Sequence, residues 1–164
     1  MERTRTCHAI QRRALHLVDL ENLLGDRRKD KIAPAGLGAY LARAHWSVGD
    51  HVIVAADPEI IRQIGFDPPV PCNLHASRGD DAADVMLLAH APAELVARRY
   101  HRLVVGSGDG IFIARARAAR ALGVGVAIVA PLGGCASGFR RHGFPVLTFD
   151  PDSLTPGGPY DLAA

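Results

Sequence analysis

Two aspartates stand where a carboxylate is costly, and a third is presented by a glycine-rich stretch. Asp19 closes the run His16-Leu17-Val18 and is followed by Leu20, Asp84 precedes Val85-Met86-Leu87-Leu88, and Asp109 sits among Gly106, Gly108 and Gly110. An ionised carboxylate surrounded by apolar residues is unfavourable unless a cation or hydrogen-bond donors pair with it. Plain structural roles are open for some of them. Asp19 can cap a turn or helix, and Asp80 or Asp81 can cap a helix whose dipole favours acids in its first turn. Asp84 fits that role less well, because on a helix Asp81, Asp84, Val85 and Leu88 share one face at spacing i, i+3, i+4, i+7. Oxygen ligands of this kind select Mg²⁺ or Mn²⁺, which take a few carboxylates and keep several waters. Such an ion activates water, polarises a phosphodiester and stabilises charge in the transition state. Composition alone leaves a nuclease and a metal-dependent phosphatase both open.

The glycines around Asp109 raise the alternative of a phosphate cradle. Neither G-x-G-x-x-G nor G-x-x-x-x-G-K-[ST] is met by Gly106-Ser107-Gly108-Asp109-Gly110-Ile111-Phe112-Ile113, and Asp109 would stand where the anion belongs. Small residues there suit a sharp strand-to-helix turn that presents Asp109 and leaves the backbone open to a ligand.

These residues need elements to position them. Short apolar runs alternate with helix-like segments, the pattern of repeated β-α units around a parallel sheet. Strands are expected at 15–20, 52–56, 70–75, 103–106, 124–130 and 146–149. Helices are expected at 36–46, 58–64, 81–90, 92–99 and 112–122, the last stopped by Gly123. Asp57-Pro58 reads as an N-cap with proline at the first helical position. The expected fold is a single-domain, three-layer α/β/α arrangement, Rossmann-like, with a mainly parallel central sheet. In such sheets ligands gather at the carboxyl ends of the strands, where Asp19, Glu21, Asn22, Ser107 and Asp109 fall. Residues 1–13 are expected to form a flexible arm, 14–150 the domain, and 151–164 a loose or docked tail.

The bulk properties agree with one globular domain. The chain has 164 residues, 48% hydrophobic and 22% charged, which is enough to bury a core and argues against disorder away from the ends. A formal charge of +2 permits a nucleic-acid partner without requiring one. Cys7, Cys72 and Cys135 are far apart and odd in number, which argues against a disulfide framework or a zinc site and fits a reducing cytoplasm. No apolar run approaches the ~20 residues of a bilayer span, and the first residues lack an apolar signal core.

Taken in order, HLVDLENLLGD, DAADVMLLAHA and LVVGSGDGIF resemble the NYN domain, a branch of the PIN-like ribonucleases. The similarity runs from about Leu15 to Asp150 and takes in GVGVAIVA and FPVLTFD. It implies a PIN-like fold and a metal-dependent ribonuclease acting on RNA. Asp19, Asp84 and Asp109 would be catalytic metal ligands for Mg²⁺ or Mn²⁺, with Asp81 as a further candidate, and Asn22 and Ser107 would order the site. Two positions depart from the family pattern: Ile111 stands for the second aspartate of S-G-D-x-D-F, and His90 for a late helical aspartate. These departures leave a second expectation, a catalytically impaired RNA-binding or regulatory module on the same fold. A nucleotide-binding Rossmann-like domain is the third.

Among the basic clusters, Arg27, Arg28, Lys29 and Lys31 follow the Asp19 loop directly and are the candidates for holding RNA phosphates beside a metal; a solvated loop is the equal alternative. Arg117 and Arg120 sit late in their helix, where the dipole alone favours them. With 5% aromatic residues, no base-stacking platform is evident. The eight histidines form no His-x-x-x-His pair and read as structural or surface residues. A homodimer through 132–139 or an uncovered edge strand is a further expectation.

Overall fold

The computed structural model describes residues 12–156. Residues 1–11 of the arm expected at 1–13, and residues 157–164 of the expected tail, lie outside the described residues. Six strands form: β1 (Ala14–Asp19), β2 (His51–Ala56), β3 (Asn73–Ala76), β4 (Arg102–Gly106), β5 (Gly125–Pro131) and β6 (Val146–Phe149). They make one sheet in the order β3-β2-β1-β4-β5-β6, and every pairing is parallel. Runs such as Leu17-Val18 and Val104-Val105 are buried throughout, because helices cover both faces.

The helices are α1 (Leu20–Leu24), α2 (Ala33–Arg43), α3 (Pro58–Ile64), α4 (Ala82–His90), α5 (Ala93–Arg99), α6 (Ile113–Ala121) and α7 (Ser137–Arg141). Alternate strand residues point to opposite faces and build two cores. Leu15, Leu17, Ile53, Leu103 and Val105 pack against Leu87, Val96, Phe112 and Phe139 on one side. On the other, Val18, Val54, Val104 and Val129 meet Leu23, Leu37, Tyr40 and Ile60. The result is a three-layer α/β/α domain, as the alternation of elements requires.

Several boundaries differ from the sequence expectation for local reasons. β3 begins at Asn73 rather than residue 70, since the prolines at 68, 69 and 71 cannot donate to a ladder. α2 begins at Ala33 with a proline in its first turn and ends at Arg43, before His45 at φ 53°. The five-residue helices α1 and α7 are too short to show a period. The near part of the expected tail is docked: Leu154 packs on the second core. No described helix is long and apolar enough to cross a membrane.

Arginines close many helix ends. Arg115 donates to Leu88 O at 2.7 Å and to Ala91 O, Arg120 to His142 O at 2.7 Å, and Arg102 to Ala44 O at 3.2 Å. Each meets a carbonyl at or near the end of a helix, where intrahelical donors run out. These cations are therefore structural.

Candidate metal centre

The sheet order reverses direction between β1 and β4, so the chain leaving each strand departs to an opposite face and opens a crevice at their carboxyl ends. β1 ends at Asp19 because its carboxylate turns the chain into α1: Oδ1 accepts from Asn22 N at 3.1 Å. Asp109 does the same after β4, its Oδ1 accepting from Ile111 N at 2.9 Å. Asp19 thus takes the capping role that the sequence left open, and Asp109 takes one that the sequence did not suggest. Capping occupies one carboxylate oxygen in each and leaves the other for a second role.

Two side chains tie the loops together. Asn22 Oδ1 accepts from Gly108 N at 2.8 Å. The Ser107 hydroxyl, fully buried, accepts from Asp109 N at 3.1 Å and donates toward Asp19 Oδ2 at 3.5 Å. The glycines serve packing rather than an incoming ligand. A Cβ on Gly106 would lie 2.6 Å from the Tyr40 ring, and one on Gly108 would run into Gly134 O. That differs from the expected open backbone, because the 131–136 loop already fills the space, with Ala136 N donating to Gly108 O at 2.8 Å.

α4 packs over β1 and β2 and brings the third acid to the crevice. Its buried residues are Asp84 and Leu87. Val85, expected on the same stripe, is 61% exposed, so the inward face follows Asp84, Leu87 and Ala91 instead. Asp81 precedes the helix in the left-handed region at φ 57°, and its side chain makes no cap hydrogen bond.

Asp81, Asp84 and Asp109 each offer a carboxylate oxygen, all within 4.8 Å of one another. Asp19 lies beside this set rather than within it, linked through Ser107. All four line one cleft of about 320 Å³, together with Glu21, Asn22, Arg28 and Ser77. Asp84 Oδ1 and Ser77 Oγ are buried there without a hydrogen-bond partner.

Burial, then the neighbouring Asp84 carboxylate, pushes the Asp19 carboxyl up to about 7, against the lowering effect of the Asn22 backbone bond. Asp84 is also raised, chiefly by burial and then by Asp109 and Asp81. Carboxylates crowded in this way repel one another and bind protons or cations. The cleft walls carry five acids, Asp19, Glu21, Asp81, Asp84 and Asp109, against one guanidinium, Arg28. A divalent ion bound by oxygen ligands suits this donor set, and the unpartnered Asp84 oxygen gives it a ready contact.

The basic residues divide. Arg27 is committed to the protein itself, donating to Asp30 Oδ2 at 2.9 Å, Pro151 O at 2.7 Å and Leu154 O at 3.1 Å. Arg28 borders the acidic cleft, Lys29 lines an adjoining cavity, and Lys31 is exposed at φ 56°. His90 stands at the far end of α4, about 12 Å along its axis, with Nδ1 against Met86 O at 3.0 Å and its ring 4.6 Å from that of His75. Ile111 is 39% exposed beside Asp109. Glu21, not singled out as a ligand in the sequence, lines the cleft and accepts from Asp57 N; its only signal was its place just past Asp19. Ser77 gave none.

No family model matches the chain, and no curated protein matches it. The fold is similar to the crystal structure of a protein of unknown function from Vibrio parahaemolyticus, with a TM-score of 0.55 and 20% identity over 94% of this chain and 100% of that one. At that identity the likeness supports the fold alone.

Proposed function

We propose that the protein is a divalent-metal-dependent phosphodiesterase acting on RNA, of the NYN branch of the PIN-like ribonucleases. The observation that carries this reading is the buried, unpartnered Asp84 oxygen within a set of three aspartates at the β1/β4 crevice. Asp81, Asp84 and Asp109 would hold Mg²⁺ or Mn²⁺, with Asp19 alongside. The ion would supply Lewis-acid polarisation of a phosphodiester and a nucleophile at neutral pH.

The chain's own groups have separate tasks. Ser107 and Asn22 fix the loops that carry Asp19 and Asp109. Burial pushes the Asp19 carboxyl up to about 7 without metal, and a cation bound beside it would draw that proton off and leave Asp19 as a further oxygen ligand. Arg28 at the rim faces the phosphate backbone of a substrate. Five carboxylates repel a polyanion, and a bound cation would offset that repulsion at the cleft. The same acids at the β1 tip oppose a dinucleotide at the position where a Rossmann-like domain holds pyrophosphate.

The test is Mn²⁺ calorimetry together with cleavage of a single-stranded RNA. The wild type should bind Mn²⁺ and turn over repeatedly, and Asp109→Asn should lose both while keeping its circular dichroism. Full activity in Asp109→Asn would overturn the proposal. One observation favours a second reading: Ile111 puts an apolar side chain where the family pattern has an acid, so RNA retention without turnover in saturating Mn²⁺ would identify a binding module.

A further inference from the structure

Beside the acidic cleft lies a second cavity of about 350 Å³, and Glu21 and Arg28 line both. Its size falls in the range of small-ligand sites. Three of its polar side chains, Glu21, Asp57 and Gln63, are held in fixed directions by backbone N–H groups. Asp57 N donates to Glu21 Oε1, Glu59 N to Asp57 Oδ1 at 2.8 Å, and Ala33 N to Gln63 Oε1 at 3.2 Å. Each carboxylate keeps a second oxygen, and Gln63 keeps its amide NH₂ as a donor. Ile60, 4% exposed, supplies an apolar wall, and Lys29 is part of the lining.

We infer that this cavity receives the base of a nucleotide next to the bond that is cut, and that it favours guanine; this rests on reading the acidic cleft as the place of RNA cleavage. Three carboxylates against two cations make the cavity a poor holder for a phosphate. Fixed carboxylate oxygens only accept, so they suit a base edge rich in donors. Guanine presents two adjacent donors, N1–H and N2–H₂, and its O6 suits the Gln63 amide or Lys29. Cytosine and adenine present one amino group beside an acceptor nitrogen. Uracil presents one N–H between two carbonyls, which the carboxylates repel. Arg28, on the wall between the two depressions, is placed for the phosphate joining the bound nucleotide to the next.

The experiment is a titration of the full chain, methyl-labelled at isoleucine and free of divalent ions, with guanosine 5′-monophosphate, uridine 5′-monophosphate and inorganic phosphate. The Ile60 methyl resonance, assigned with Ile60→Val, should shift saturably with the guanine nucleotide, about tenfold less tightly with the uracil nucleotide, and not with phosphate. Asp57→Asn, which keeps a good N-cap and removes one charge, should narrow the guanine preference. Equal response to both nucleotides, a response to phosphate alone, or none at millimolar guanine nucleotide would overturn the inference. Asp84→Asn should leave this response intact. Failure of Mn²⁺ binding therefore counts against the catalytic reading, and failure of the Ile60 response against this one.

Discussion

Two buried polar clusters hang from β1, three residues apart, and they differ in whether they are satisfied. His16, fully buried, meets Tyr40 Oη at 3.1 Å and Asp50 Oδ2 at 3.3 Å, and Asp50 also accepts from Ala14 N at 2.6 Å and Ser47 N at 2.9 Å. Every strong group there has a partner of complementary kind. Asp19, by contrast, meets another raised carboxylate, and Asp84 keeps an oxygen with none. A closed network holds a fold together. An open one of like charges has a free-energy cost in the empty protein that a bound cation repays, and such frustration marks functional sites. The contact of Tyr40 with Gly106 joins the two, so the closed cluster sets the backbone on which Ser107 and Asp109 stand.

Paired substitutions should break this comparison most visibly. Asp84→Asn should cut RNA turnover about a thousandfold, equivalent to ~4 kcal/mol of transition-state stabilisation, while the metal-free melting temperature holds or rises as like charge is relieved. Asp50→Ala should do the reverse. It strands His16 Nε2 and two backbone N–H groups, for a loss of about 3 kcal/mol and roughly 10 °C in melting temperature, with Mn²⁺ affinity per folded molecule unchanged. Calorimetric melting and Mn²⁺ titration of both variants check the pair; a destabilised Asp84→Asn would show the acidic set to be structural.

The two clusters should also respond to pH with opposite signs. Burial raises Asp19 from 3.8 to about 7, so between these values the folded state keeps a proton that the unfolded chain releases. Its stability contribution is full at low pH and is lost as pH rises through that window. His16 is lowered from 6.5 to about 4 by burial, so the unfolded chain takes up the proton first, and its contribution is lost as pH falls from 6.5 to 4. In a chelating buffer, Asp19→Asn should gain on the wild type by roughly 5 °C between pH 5 and pH 8, and saturating Mn²⁺ should close that gap. A constant difference across pH would remove the assignment of the raised group.

The fold was legible because periodicity and punctuation agree: apolar runs covered on both faces, proline after Asp57, glycine after Leu122. Asp19, Asn22, Asp84, Ser107 and Asp109 were legible as carboxylates or small polar residues at strand tips and in an apolar stripe. The selection of Asp81 over Asp19 for the tight set was not, because it depends on a left-handed residue before α4 and on how α4 lies across β1 and β2. Nor was the commitment of Arg27 to carbonyls of residues more than a hundred positions away. Charge runs in a sequence report cations, while only packing reports which of them are already used.

The smallest effect sharpens the comparison further. Ile111 N is held by Asp109 Oδ1, so its backbone is fixed while its side chain is partly exposed beside the acids. Ile111→Asp adds a sixth carboxylate to a cluster that already repels itself. Without metal it should lower the melting temperature by about 1 to 2 °C, the size of one partly screened like-charge contact. With metal the sign should reverse, with Mn²⁺ bound about threefold to tenfold more tightly as another oxygen ligand becomes available. Cleavage then separates the two functional readings: a modest rise on an existing rate identifies an enzyme that works with the acids it has. Turnover that begins only in Ile111→Asp identifies a chain whose open cluster binds without cutting, the missing carboxylate being what separates binding from catalysis.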